Sequence, residues 1–127
     1  MRGALAEATA AGYVQTGKTK DAADAYAAMV GKSPDNHTLR LAYGEALLRD
    51  KQYATACAEF ETLRDKPLGY RDRGLPAAES CMLAGDLVKA VGWLNTIPAR
   101  FLPPQTAQDP RWALLKDRED FLALFKR

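Results

Sequence analysis

A spacing of 34 residues organises this chain. Ala22, Ala56 and Ala90 stand at that interval, as do Tyr26, Phe60 and Leu94; Met29, Leu63 and Ile97; Tyr13, Leu47 and Cys81; and Ala10, Gly44 and Ala78. Five columns that keep one interval without a gap mean that one supersecondary unit is used three times, each copy burying its apolar face against its neighbours. What recurs is size rather than identity. Columns of Ala or Gly suit places where two helix backbones approach closely, and columns of large apolar residues fill the space between them. Within each period a short breaker separates two helix-forming stretches: Thr16-Gly17-Lys18, Asp50-Lys51-Gln52 and Ala84-Gly85-Asp86. Each unit is therefore predicted to be a helical hairpin.

The junctions between units differ in quality. Ser33-Pro34-Asp35-Asn36 supplies a proline stop and then N-cap candidates for a helix beginning near His37. The next junction, Lys66-Pro67-Leu68-Gly69-Tyr70 followed by Gly74-Leu75-Pro76, is looser. Proline is comfortable in a helix only in its first turn, so the first helix of the third unit is expected to start late or to bend. After the third unit, Pro98, Pro103 and Pro104 break helix, and Asp109-Pro110-Arg111-Trp112 opens a final segment with apolar Trp112, Leu115, Phe121, Leu122 and Phe125.

These residues resemble the tetratricopeptide repeat (TPR) family, whose signature pairs a small residue and an aromatic in the first helix with A-x-x-x-[FY] in the second and a proline at the exit. The matching pieces are Ala10 and Tyr13 with Ala22-x-x-x-Tyr26 and Pro34; Gly44 with Tyr53 and Ala56-x-x-x-Phe60; and Ala78 with Leu87 and Ala90-x-x-x-Leu94. No tryptophan opens a repeat, since Ala6, Arg40 and Gly74 stand there, and the exit prolines Pro67 and Pro103 are each displaced by one residue. The last segment resembles the D-P-x-W-x-x-L…F-x-x-L closing segment of many bacterial TPR proteins. The resemblance implies an all-α fold: a right-handed TPR-like α-solenoid of three helix-turn-helix hairpins, about 3–36, 37–70 and 71–104, plus a C-terminal capping helix within 105–127. All of this forms a single domain over 1–127. A cap is what a stack of repeats needs, because its end would otherwise expose an apolar face.

Composition narrows the function. A 127-residue chain with 47% hydrophobic and 27% charged residues is ordinary for one soluble globular domain. Eighteen basic against sixteen acidic side chains, with no long basic block, speak against nucleic acid as partner. No apolar stretch approaches the roughly 18 residues of a membrane span, and Met1 to Glu7 lacks the apolar core of a signal peptide, so a cytoplasmic protein is expected. Cys57 and Cys81 have no C-x-x-C spacing; they are expected to be buried free thiols, with a bridge between adjacent hairpins left open. His37 is the only histidine and has no second histidine for zinc and no nucleophile partner. Asp21, Asp24, Asp86, Asp117 and Glu119 fall at turns or on solvated faces and form no acid/base pair. No catalytic residue, metal site or cofactor is expected, and the chain is not expected to be an enzyme.

One motif points the other way. Gly12-Tyr13-Val14-Gln15-Thr16-Gly17-Lys18-Thr19 satisfies the P-loop pattern G-x-x-x-x-G-K-[ST] without a mismatch. A phosphate-cradling loop needs a buried strand before it, whereas residues 3 to 11 are rich in helix formers. P-loop nucleotide binding at 12–19 is thus the remote alternative, and the repeat register gives the same residues a hairpin turn.

The family resemblance implies a role as a protein–protein interaction module, a scaffold or adaptor, that holds a peptide in the concave groove lined by the first helix of each hairpin. Carried over position by position, the groove would comprise Glu7, Ala11, Val14 and Gln15 from the first hairpin; Thr38, Leu41, Glu45, Leu48 and Arg49 from the second; and Asp72, Leu75, Glu79, Met82 and Leu83 from the third. Glu45 and Glu79 are 34 apart, so the partner is expected to present apolar anchors and a Lys or Arg. The carboxylate clamp of TPR co-chaperones has no counterpart, since Glu7, Ala11, Ala42, Asp72 and Pro76 occupy its places. The alternative is a self-assembly or intramolecular packing unit of a longer array, as a homo-oligomer or through upstream repeats on the N-terminal hairpin. Ala6 and Thr9 stand in that hairpin where bulky residues would pack.

Overall fold

The computed structural model describes residues 10, 12–13, 15–66 and 70–127. Among them every regular element is helical and none is a strand. The α-helices are α1 (Thr19–Lys32), α2 (His37–Arg49), α3 (Tyr53–Glu61), α4 (Tyr70–Leu83), α5 (Leu87–Asn95) and α6 (Glu119–Ala123), and Ala10, Gly12, Tyr13 and Gln15 are helical ahead of α1. Each of α1 to α5 packs on the helix next to it in the chain, and α2 also meets α4.

The 34-residue interval reappears in the backbone. Three helices start at Thr19, Tyr53 and Leu87, and the residue with positive φ in the turn before each is Gly17 (79°), Lys51 (61°) or Gly85 (91°). The amide of the residue immediately before each helix donates back to the preceding one: Lys18 to Tyr13 (2.8 Å), Gln52 to Leu47 (2.9 Å) and Asp86 to Cys81 (2.9 Å). A left-handed residue is the usual way to end one helix and free the chain to reverse. Glycine meets that need at two turns; Lys51 meets it at a cost of roughly 1–2 kcal/mol.

Most positions of the columns read from the sequence are buried, with Tyr13, Tyr26 and Met29 of the first unit half-buried. Ala22, Ala56 and Ala90 are fully buried, as are Phe60 and Leu63, with Leu94 and Ile97 at 1% exposure. The glycine in the small column has a specific cause: a Cβ on Gly44 would lie 2.9 Å from Phe60 Cζ, and the ring has nowhere to retreat because it is completely enclosed. Gly44→Ala is accordingly expected to destabilise by about 1–3 kcal/mol, the usual cost of overpacking, as read by denaturant unfolding. A variant as stable as wild type would mean that Phe60 has room to move.

At the junction before α4, the late start that was one of the two expectations is not seen: the helix runs from Tyr70 with Pro76 inside it. Proline removes one backbone donor from the middle of the helix, and one turn on the Ser80 hydroxyl donates to the Pro76 carbonyl at 2.8 Å. Arg73 Nη1 donates to the carbonyl oxygens of Leu63 and Lys66, tying α4 back to the end of the preceding hairpin.

The closing segment is not a single helix. It is a series of 3-10 turns, Ala99–Phe101, Pro104–Gln108 and Pro110–Leu115, followed by the short α6 and a last turn, Leu124–Lys126. Four prolines in 98–110 deprive the segment of the amides a long helix needs. Trp112, Leu115, Phe121 and Leu124 are buried, and the Pro110–Leu115 turn packs on α4. Of the apolar residues in this segment, Leu122 is 39% exposed, whereas Leu124 is buried.

The cysteines are not free thiols. Cys57 of α3 and Cys81 of α4 form a disulfide, with Cα atoms 4.8 Å apart, so the second and third hairpins are joined covalently. Beside it, Trp93 is fully buried and its indole Nε1 donates to Glu61 Oε1 at 2.9 Å. Arg64 donates to both Glu61 oxygens and lies 4.3 Å from the centre of a Trp93 ring. Burial works to raise the Glu61 carboxyl; the Arg64 hydrogen bonds and charge, with lesser help from Trp93 and Lys89, outweigh it and hold the group below its usual range.

Candidate groove and the P-loop-like turn

The sequence places a groove on the first helices of the hairpins, and α2 and α4 do line one. A cavity of about 520 Å³ is bounded by Glu45, Leu48 and Arg49 of α2, Tyr53 of α3, Leu75, Pro76, Glu79 and Leu83 of α4, and Arg111 of the closing segment. That volume lies within the range of ligand clefts. Six expected residues, Glu45, Leu48, Arg49, Leu75, Glu79 and Leu83, meet there because helical spacing of three and four puts them on one face of each helix.

Other expected residues lie elsewhere. Met82 is 3% exposed and belongs to the core, because its neighbour at the next turn, Ala78, lies against the packed face rather than the groove. Leu41 packs half-buried on the core, and Thr38 and Gln15 are exposed. Glu7, Ala11 and Val14 lie outside the described residues, as do Ala6 and Thr9, and the side chain of Asp72 is also outside them.

Arg111 changes the electrostatics. Its Nη2 lies 2.8 Å and its Nε 3.2 Å from Glu79 Oε2, so the closing segment partly neutralises the acidic stripe. The pair is roughly one-third exposed on each side, a setting in which ion pairs contribute about 0–1 kcal/mol. Arg111 was invisible to a register argument because it lies outside the repeats; the only local signal was its place in Asp109-Pro110-Arg111-Trp112, where Asp109 Oδ1 accepts from the Arg111 amide at 2.9 Å and fixes the turn.

The P-loop-like stretch is a helix end, a turn and a helix start. The Thr16 amide donates to Gly12 O (3.1 Å) and the Lys18 amide to Tyr13 O, so these donors are spent within the chain. The Thr19 hydroxyl, which would face magnesium in a P-loop, donates to Asp50 Oδ1 at 2.8 Å. Hydrogen bonds from Gln52 and Thr19 hold the Asp50 carboxyl below its usual range. The same backbone turn occurs at 50–52 and 84–86, where no P-loop sequence exists. Titration with ATP is expected to give no saturable binding; affinity that disappears in Lys18→Ala would contradict this.

No family model, curated protein or solved structure matches the chain.

Proposed function

We propose that the chain is a TPR-type interaction module, without enzymatic activity, that binds a segment of another protein in the cleft between α2 and α4. The observation that carries this reading is the convergence of Glu45, Leu48, Arg49, Leu75 and Glu79 on one cavity. Leu48, Leu75, Pro76 and Leu83 offer apolar seats, and Glu45 and Glu79 favour a Lys or Arg beside the apolar anchor. The weak Glu79–Arg111 pair opposes such a residue little, because breaking an exposed pair costs about 1 kcal/mol or less. A right-handed solenoid is the arrangement this reading implies for the three hairpins.

The direct experiment is affinity capture from the native source with wild type and with a Glu45→Lys, Glu79→Lys double variant. The reading expects partners that wild type retains and the double variant loses. Partners retained equally by both would contradict it.

No helix among the described residues is long and apolar enough to cross a membrane. Disulfides persist in oxidising compartments and are rare in the cytosol. A cytoplasmic location, expected from the sequence, therefore requires Cys57 and Cys81 to be thiols in the cell. Trapping free thiols by alkylation during lysis decides between the two.

A further inference from the structure

We infer that Cys57, Glu61 and Cys81, once the bridge is reduced, form a binding site for one thiophilic divalent cation of the zinc class. Cys57 and Glu61 are four residues apart on α3, and Cys81 faces them from α4. One donor atom from each lies within 4.8 Å of the other two. Bonds of about 2.3 Å to sulfur and about 2.0–2.2 Å to carboxylate oxygen set donor atoms roughly 3.5–3.8 Å apart around a tetrahedral ion. Side-chain rotation reaches that spacing, since the two helices are already in contact.

The surroundings are arranged as an ion would need. Two thiolates and a carboxylate carry three negative charges, and a divalent cation with the Arg64 guanidinium cancels them, as burial demands. The Glu61 carboxylate is held by Trp93 Nε1 and Arg64 Nη2 on Oε1, at 2.9 and 3.0 Å, and more loosely on Oε2, at 3.3 Å from Arg64 Nε. Such outer contacts orient metal-binding carboxylates, and the looser oxygen keeps a lone pair for the ion. Cys57 and Cys81 are 6% and 0% exposed, while the Glu61 side chain is 26% exposed, so the fourth coordination position opens to water on the Glu61 side. Soft sulfur donors select zinc-like ions over magnesium or calcium.

The site alternates with the disulfide. A phosphine reductant supplies two electrons and becomes the phosphine oxide with oxygen from water; the S–S bond breaks and each sulfur takes a proton. On binding, the cation displaces both thiol protons to solvent. Either state ties α3 to α4, one through a covalent bond and the other through shared coordination.

Anaerobic titration with Cd²⁺, before and after phosphine reduction, tests this through the sulfur-to-cadmium charge-transfer absorption, with Zn²⁺ as competitor. The expected result is one ion per reduced chain and none on the oxidised protein. Cys57→Ser should weaken binding at least about 100-fold, and Glu61→Gln, which keeps both sulfurs, about 10-fold. Circular dichroism of each variant checks that the helices remain. Equal binding by oxidised and reduced protein, no binding after reduction, or an unchanged affinity in Glu61→Gln would each overturn the assignment.

Discussion

Replacing Cys57 and Cys81 together by alanine is expected to lower stability by about 3 kcal/mol and the melting midpoint by roughly 10–15 °C. The bridge joins residues 24 apart, and closing a loop of that length in the unfolded chain accounts for the figure. The loop contains the junction where the repeat is least regular, including Pro76 inside α4, so the cross-link acts where hairpin stacking has least support from the pattern. Thermal unfolding of wild type, oxidised and reduced in the presence of a chelator, gives the same comparison without mutation. Coincident transitions for the two redox states would mean that the bridge contributes nothing to holding the second and third hairpins together.

Trp93→Ala is expected to cost about 3–5 kcal/mol, the range for deleting an enclosed aromatic side chain. Trp93 is completely buried, and its indole also donates to Glu61 and stacks under Arg64, so the substitution opens a cavity and removes one hydrogen bond to a partly buried carboxylate. Trp93→Phe keeps much of the volume and should lose clearly less. Equal losses for the two variants would place the energy in the indole hydrogen bond and not in packing. Since a domain is stable by only about 5–15 kcal/mol, either of the two large losses brings the chain near its folding threshold.

The interval of 34 was the legible part because helix packing imposes it at the level of residue size. Ala22, Ala56 and Ala90 could be placed in the core from spacing alone, and Gly17, Lys51 and Gly85 fall at equivalent turns. Six residues of the cavity between α2 and α4 followed from the same register. What failed to appear were contacts that no period encodes. The Cys57–Cys81 pairing depends on where α4 sits against α3, and Cys81 belongs to a column that reads simply as apolar. Its partner Cys57 follows the conserved-size position Ala56, with nothing in its spacing to announce a bridge. Arg111 reaches Glu79 from a segment outside the repeats. Met82 was assigned to the groove by carrying over a family position, but in this chain α4 turns that side chain into the core. The closing segment stood out through Asp109-Pro110 and Trp112, yet its prolines divide it into 3-10 turns where a helix was expected.

The central claim is that a partner segment lies between α2 and α4. The most direct measurement is an amide chemical-shift map of the isotopically labelled protein titrated with the captured partner segment. The account predicts that the largest saturable shifts fall on Glu45, Leu48, Arg49, Leu75 and Glu79, with the Arg111 side chain responding as Glu79 is engaged. Shifts confined to α1, α5 and the turn at Gly85, with the α2 and α4 residues unmoved, would contradict it.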